Sequence, residues 1–197
     1  MLPDHPLHRS SNGLRVRISR AAELAAHVTP VLPVQKLLKT QVLHSLETLY
    51  QAGIQRIFTS ALRPQEQRFF IDLGFTLHEE LFLLAHTFDT PIDSPSRHTR
   101  KFRRSDWEDV LQLDNAAFPK FWQFDRAAFT EAISATPRTR VRVDAPDTAW
   151  GFAITGRSGR LGFLQRLAVD PHHQRMGIGR SLVADALQWS RKRFVKE

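Results

Sequence analysis

With 197 residues, 42% of them hydrophobic, the chain can bury a sizeable core as one large domain or two small ones. It contains no cysteine, which excludes disulfides, thiolate metal ligands and a cysteine nucleophile. The formal charge of +8 and a pI near 10.7 favour an anionic partner, whether a phosphorylated cofactor, nucleic acid or an acidic protein surface.

Residues 1–13, MLPDHPLHRSSNG, hold no apolar stretch for a signal peptide and are expected to be disordered. No run of about 18 apolar residues follows, so a soluble, cytoplasmic protein with no membrane partner is expected. LRVRIS, Leu14 to Ser19, alternates as a half-buried strand does. From Val34 to Ala52 the apolar residues Leu37, Leu38, Val42, Leu46 and Leu49 fall at helical spacing, and Gly53 can end that helix. IQRIFTSAL reads as a strand, RPQEQRFFIDLG as a helix with Pro64 in its first turn and Gly74 at its end, and FTLHEELFLLAHTF as a further strand. The non-periodic DTPIDSPSR, Asp89 to Arg97, is the natural linker. It separates a first half, 14–90, from a second, 98–197, with the linker itself at 91–97.

The second half opens with a short basic strand, HTRKFRR. Ser105 and Glu108 have the spacing of a capping box ahead of a helix carrying Trp107, Val110, Leu111 and Phe118. Asp125 suits the N-cap of a second helix through Phe129 and Ile133, which stops before Pro137. The strand-like runs TRVRVD, WGFAIT and LGFLQRLAV follow, the last two joined at the turn GRSG. RSLVADALQWSRKRF closes the chain as an amphipathic helix with basic residues at its negative end. These elements predict an α/β fold, a mixed central sheet flanked by helices.

Between the last strand and this helix stands QRMGIGRS. A helix that opens directly after a strand leaves up to four backbone N–H groups unpaired, with partial positive charge behind them, which suits a phosphate. A side chain at Gly177 or Gly179 would hold an anion away from the backbone, and Gln174, Arg175 and Arg180 can add donors. The loop lacks the third glycine of the dinucleotide fingerprint and the Gly-Lys-Ser/Thr of a nucleotide P-loop. Taken alone, the two glycines fit a purely structural turn equally well.

The whole unit LQRLAVDPHHQRMGIGRSLVADAL resembles the acetyl-CoA-binding motif of the GCN5-related N-acetyltransferase superfamily, Gln/Arg-x-x-Gly-x-Gly/Ala, with Gln174, Gly177 and Gly179 at its specified positions. Val169-Asp170-Pro171 before the loop and Leu182 after it match the usual setting. The resemblance implies that Leu167, Ala168 and Val169 pair with the pantetheine arm of acetyl-CoA. It also implies that Gln174, Arg175, Met176, Gly177, Ile178, Gly179, Arg180 and Ser181 form the pyrophosphate cradle. The thioester would lie in the splay beside LQRLAV, for transfer to an amine acceptor. A homodimer is left open.

Relatives continue past this helix with further strands and a helix. A similar tail stands in the first half, where RFFIDLGF resembles the family's Phe-Tyr-x-x-x-Gly-Phe, while HVTPVLPVQKLL has prolines in place of a glycine loop. The first half is thus expected to be a partial or degenerate copy of the fold. It could form a separate domain or, as a covered sheet edge would favour, lend its strands to one composite sheet.

Catalytic residues are not assigned by the sequence. Phe70 stands where a tyrosine commonly serves as the acid, Gln165 where many members have a carboxylate base, and the only tyrosine is Tyr50. Asp114, Glu131, Asp170 and His172 could handle protons, and each reads equally as a helix-surface, turn or loop residue. His172-His173 has no visible third ligand for a metal. The aromatics of NAAFPKFWQFD could line an acceptor pocket or cap the core. Arg100–Arg104, Arg138–Arg142 and Arg191–Arg193 carry few interleaved aromatics, which disfavours nucleic acid. An acyl-CoA-binding regulatory module without turnover is the alternative function.

Overall fold

The structure, a computed structural model, describes residues 9–19 and 25–191. The chain divides into two compact units, one ending at Ala85 and the other beginning at His86.

In the first unit β1 (Arg9–Ser11), β2 (Leu14–Ser19), β3 (Ala25–Pro30) and β4 (Arg56–Thr59) form a sheet in that order. The first three run antiparallel, and β3 and β4 are parallel, joined across α1 (Lys39–Gln51). Of the stretch expected to be disordered, residues 1–8 lie outside the described residues, and 9–13 instead enter a hairpin. Asn12 and Gly13, at φ 56° and 78°, supply the two left-handed positions that a two-residue turn between twisted strands requires. The strand β3 has no counterpart in the sequence reading.

The helix expected from Val34 starts five residues later. Residues 34–36 make a single 3-10 turn, and Leu37 and Leu38 are extended because Val34 and Leu37 turn inward onto Leu14, Val42 and Phe70. The helix α2 (Pro64–Ile71) follows β4, and both helices run into a left-handed glycine, Gly53 or Gly74. The apolar run 75–88 joins neither sheet, and Phe82 and Leu83 are 95% and 97% exposed. Alternation qualifies a segment for a strand, but a ladder partner makes it one.

The second unit contains β5 (Arg100–Lys101), α3 (Trp107–Ala117), α4 (Arg126–Ser134), β6 (Arg138–Asp144), β7 (Gly151–Ser158), β8 (Leu161–Val169) and α5 (Ile178–Arg191). Its sheet is antiparallel throughout in the order β5-β6-β7-β8. The described strands therefore make two four-stranded sheets, not the single composite sheet favoured by the sequence reading. One face of the second sheet, with Val143, Phe152 and Ile154, packs on Val110 and Leu113 of α3 and Phe129 of α4. The other face places Ala153 against Ile178 and Leu182 of α5.

Local chemistry fixes the element ends. Asp125 accepts the amide of Ala128 at 2.7 Å and caps α4 as expected. At α3 the expected Ser105 box gives way to Asp106, which accepts the amide of Arg103 at 2.6 Å and a forked pair from Arg100 at 2.7 and 2.9 Å. Ser105 is exposed, while Asp106 is buried and so must find partners. The hairpin turns at Gly159-Arg160, not at GRSG, because Gly156 and Arg157 are still paired, with Phe163 and Gly162.

Candidate active site

The strand β8 lies at the edge of its sheet, so the outer backbone of Leu167, Ala168 and Val169 joins no further strand among the described residues. Asp170 then turns the chain, its carboxylate accepting the amide of His172 at 2.7 Å. Two left-handed residues shape the loop beyond, Arg175 at φ 62° and Gly177 at φ 79°. Alternation of this kind curls successive N–H groups inward, into an anion-binding concavity. The first bond into α5 runs from the Ser181 amide to the Gly177 carbonyl at 2.9 Å, leaving the amides of Ile178, Gly179 and Arg180 ahead of the ladder.

The two glycines serve different ends. Gly177 is required by its backbone angle, since the nearest atom a side chain would meet is Ser96 Oγ at 3.9 Å. A side chain at Gly179 would sit 3.6 Å from Val169 Cγ2 and 4.0 Å from Leu167 Cδ2, filling the gap between the helix start and the strand end. The loop thus carries no side chain at either glycine. Gln174, Arg175 and Met176 are exposed at its rim. Ile178 is buried and anchors the helix to the sheet.

Two expected cradle residues have other partners. Ser181 is buried, its hydroxyl accepts the Arg97 amide at 3.1 Å and its own amide is already in the helix, so it ties the linker to α5. Arg180 turns toward Asp93 at 2.6 Å, an exposed pair. The linker is further held by Arg97, which forks onto the buried Asp144 at 2.6 and 3.2 Å. That hydrogen-bonded carboxylate raises the Arg97 pKa above its ordinary value, against burial.

On the α3–α4 face β8 carries a bulge. Ile154 pairs with Arg166 and Thr155 with Leu164, so Gln165 is the extra residue. Its side chain lies beside Gly156, where any side chain would meet Gln165 Nε2 at 2.7 Å as well as Thr136. The buried Gln165 Oε1 has no hydrogen-bond partner among the described residues. Next to it Arg166 pairs with Asp114 of α3 at 2.7 Å, both buried. Asp114 is therefore not the solvated helix residue or free proton carrier of the sequence reading.

Residues 107–196 match the model of the acetyltransferase (GNAT) family. The match lies wholly within the second half of the chain, which is similar to that family over 90 residues. Among solved structures, a GCN5-related N-acetyltransferase from Sphaerobacter thermophilus aligns at TM-score 0.58 and 16% identity, over 93% of this chain and 64% of its own. One from Kribbella flavida aligns at TM-score 0.58 and 13% identity, over 93% and 74%. The ribosomal-protein-S18-alanine N-acetyltransferase from Escherichia coli aligns at TM-score 0.43 and 22% identity, over 49% of this chain. The chain spans 60% of that protein's length. A search of curated proteins found no match. The likeness to the first two structures shows a GNAT fold, a mixed α/β arrangement of sheet and flanking helices.

Within the second unit the other candidates for proton handling lie apart from the bulge in role. Glu131 is half-buried on α4, His172 is exposed, and Asp170 is engaged with the turn it caps. His173 stacks on Trp150 with ring centroids 4.1 Å apart. Phe70 and Tyr50 belong to the first unit, Phe70 in its core and Tyr50 exposed. Of the basic clusters, Arg140 pairs with Asp185 at 2.8 Å, and Arg142 is held by Thr99. Arg157 donates to Trp189 O at 3.0 Å and lies 3.7 Å over its ring. Burial first, and neighbouring arginines second, lower the pKa of Arg142 and Arg157 below the ordinary value. These three arginines pack against α5 and the β5 end, while Lys101, Arg103, Arg104 and Arg138 are exposed. Lys192 and Arg193 lie outside the described residues.

Proposed function

We propose that the protein is an acyl-CoA-dependent N-acyltransferase that uses acetyl-CoA and an amine acceptor. The observation that carries this reading is the left-handed Arg175–Gly177 loop set between an edge strand and a helix start, with Gly179 leaving the gap between them unfilled. In it the amides of Ile178, Gly179 and Arg180 hold the pyrophosphate, and the open edge of Leu167–Val169 holds the pantetheine arm. Acetyl-CoA, when bound, supplies the activated acyl group.

The amine must be neutral to attack, and the departing thiolate needs a proton. Gln165, at the bulge, has no proton to titrate at neutral pH. Its Oε1, buried and unpaired among the described residues, can accept a hydrogen bond from an enclosed water but cannot serve as a base. That same amide, standing where many relatives have a carboxylate, favours as second reading a module that binds acyl-CoA without turnover. The acyltransferase reading carries with it a cytoplasmic location and leaves a homodimer open; cell fractionation and light scattering check these.

A melting titration with acetyl-CoA followed by a free-thiol release assay over small amines, lysine and peptides with free N-termini tests the reading. Acetyl-CoA at about 100 times its dissociation constant adds roughly 2.7 kcal/mol of stability. Thiol release with at least one amine is expected. A shift without release from any amine selects the binding module, and no shift overturns both.

A further inference from the structure

We propose that Asp114 and Arg166 are positioning residues that latch the α3–α4 loop, Phe118–Phe124, onto the bulge of β8 and thereby set where the amine acceptor meets the acyl group. The proposal rests on the acyltransferase reading and adds to it the device that holds the acceptor side.

A buried ion pair is an expensive way to fill a core, and apolar side chains of similar size commonly replace one with little loss of stability. What this pair does beyond filling space is read from its other bonds. Arg166 Nε and Nη2 reach the two carboxylate oxygens of Asp114, each at 2.7 Å. The pair also bonds to the loop. Arg166 Nη2 donates to the Trp122 carbonyl at 2.6 Å, and Asp114 Oδ2 accepts the Phe124 amide at 2.8 Å. The guanidinium carbon lies 3.5 Å from the centre of the Phe118 ring and 4.0 Å from that of Phe124.

The loop is thus gripped near both ends and at its middle by two side chains from different elements, one of them on the cofactor strand. At the bulge, Arg166 follows directly on Gln165, the extra residue in the ladder. One anchor therefore serves both the strand that would hold the acyl group and the loop that carries Phe121 and Trp122. Those two rings meet edge to face at 4.9 Å and remain half exposed, a fixed aromatic surface beside the bulge. Gln123 Nε2 adds a tie to the Asn115 and Phe118 carbonyls at 2.9 and 3.1 Å, so the loop has a weaker hold that survives loss of the latch.

Two variants separate positioning from packing. In D114L/R166M the pair is replaced by apolar side chains; in R166K the charge stays and the fork is lost. Amide exchange over 118–124, the melting shift with acetyl-CoA, and kcat and KM for the acceptor amine are measured on each. The proposal expects both variants to exchange the Phe124 amide at least tenfold faster and keep the acetyl-CoA shift. Acceptor kcat/KM falls at least tenfold, most of it in KM. Should the double variant fail to fold, R166K carries the same expectations. Loop exchange and acceptor kcat/KM within twofold of wild type would overturn the proposal, as would parallel loss of the acetyl-CoA shift, which marks a structural role. A wild type that acetylates no amine overturns the acceptor role together with the enzymatic reading, and intact loop protection then distinguishes that failure from failure of the latch.

Discussion

Both units contain a strand that leads through a turn into a helix, and the two turns differ in backbone conformation. In the first unit β3 leads through Val31–Leu38 to α1; in the second β8 leads through Asp170–Gly177 to α5. The first turn follows Pro30 and contains Pro33, with no glycine and no left-handed residue, and α1 opens on Lys39, whose ammonium pairs with Asp72 at 3.1 Å. The second has Arg175 and Gly177 left-handed, no acidic residue in the first turn of α5, and Gly179 in place of a side chain. The same order of elements can serve an anion only where the backbone can curl its amides inward.

Variants that break this contrast rank by size. Removing a core ring should cost most, about 3–5 kcal/mol for Phe129→Ala in the second unit or Phe70→Ala in the first, read by chemical denaturation. Only the unit with the cradle should matter for the cofactor, so Phe70→Ala should leave the acetyl-CoA dissociation constant within twofold. Gly177→Val forces a β-branched residue into a left-handed angle and should lose about 1–3 kcal/mol of stability. It should also weaken acetyl-CoA more than tenfold by titration calorimetry, whereas Val31→Gly in the other turn should create no binding.

Acid should loosen the second unit in a defined way. Hydrogen bonds from Arg100 first, then the Arg103 amide, hold the Asp106 carboxyl below the usual carboxylate range despite burial. Its stabilisation is therefore complete above the unfolded value of about 3.9 and is lost as pH falls through the lower folded value. Asp106→Asn should be about 1–2 kcal/mol less stable at pH 7 and show a flatter decline below about pH 4 in urea titrations. The smallest effect belongs to Asp93→Ala, which frees Arg180 from an exposed pair. It should tighten acetyl-CoA binding a few-fold at low salt and by less at high salt, within about 1 kcal/mol.

The cradle was legible because its chemistry is backbone chemistry. Gly177 and Gly179 mark where side chains are excluded, and the apolar runs on either side name the strand and the helix. Local caps were legible in part: Asp125 held its helix start, while ahead of α3 the box closes between Arg103 and Asp106, whose burial depends on packing distant in sequence, and not at Ser105. The Asn12-Gly13 hairpin is written in its dipeptide, but residues 1–13 lack the apolar run that would mark a strand beside it. The stretch 75–88 had the composition of a strand, but pairing is a tertiary fact. The latch shows what periodicity could have found. Asp114 stands four residues after Val110 and seven after Trp107, on the apolar stripe of α3, and Arg166 interrupts an apolar strand. A carboxylate on one buried face and a guanidinium on another are each improbable alone, which points to their meeting. No local signal places the Gln165 bulge, since it arises from how β7 and β8 register.

The central claim is that the anion-binding turn of the second unit, and not its counterpart in the first, receives acyl-CoA. Amide hydrogen exchange of the full chain with and without saturating acetyl-CoA tests it most directly. Protection should rise across 167–181, strongest at Ile178, Gly179 and Arg180, and stay unchanged across 31–39. Protection confined to 31–39, or equal exchange of 167–181 with and without acetyl-CoA, would contradict it.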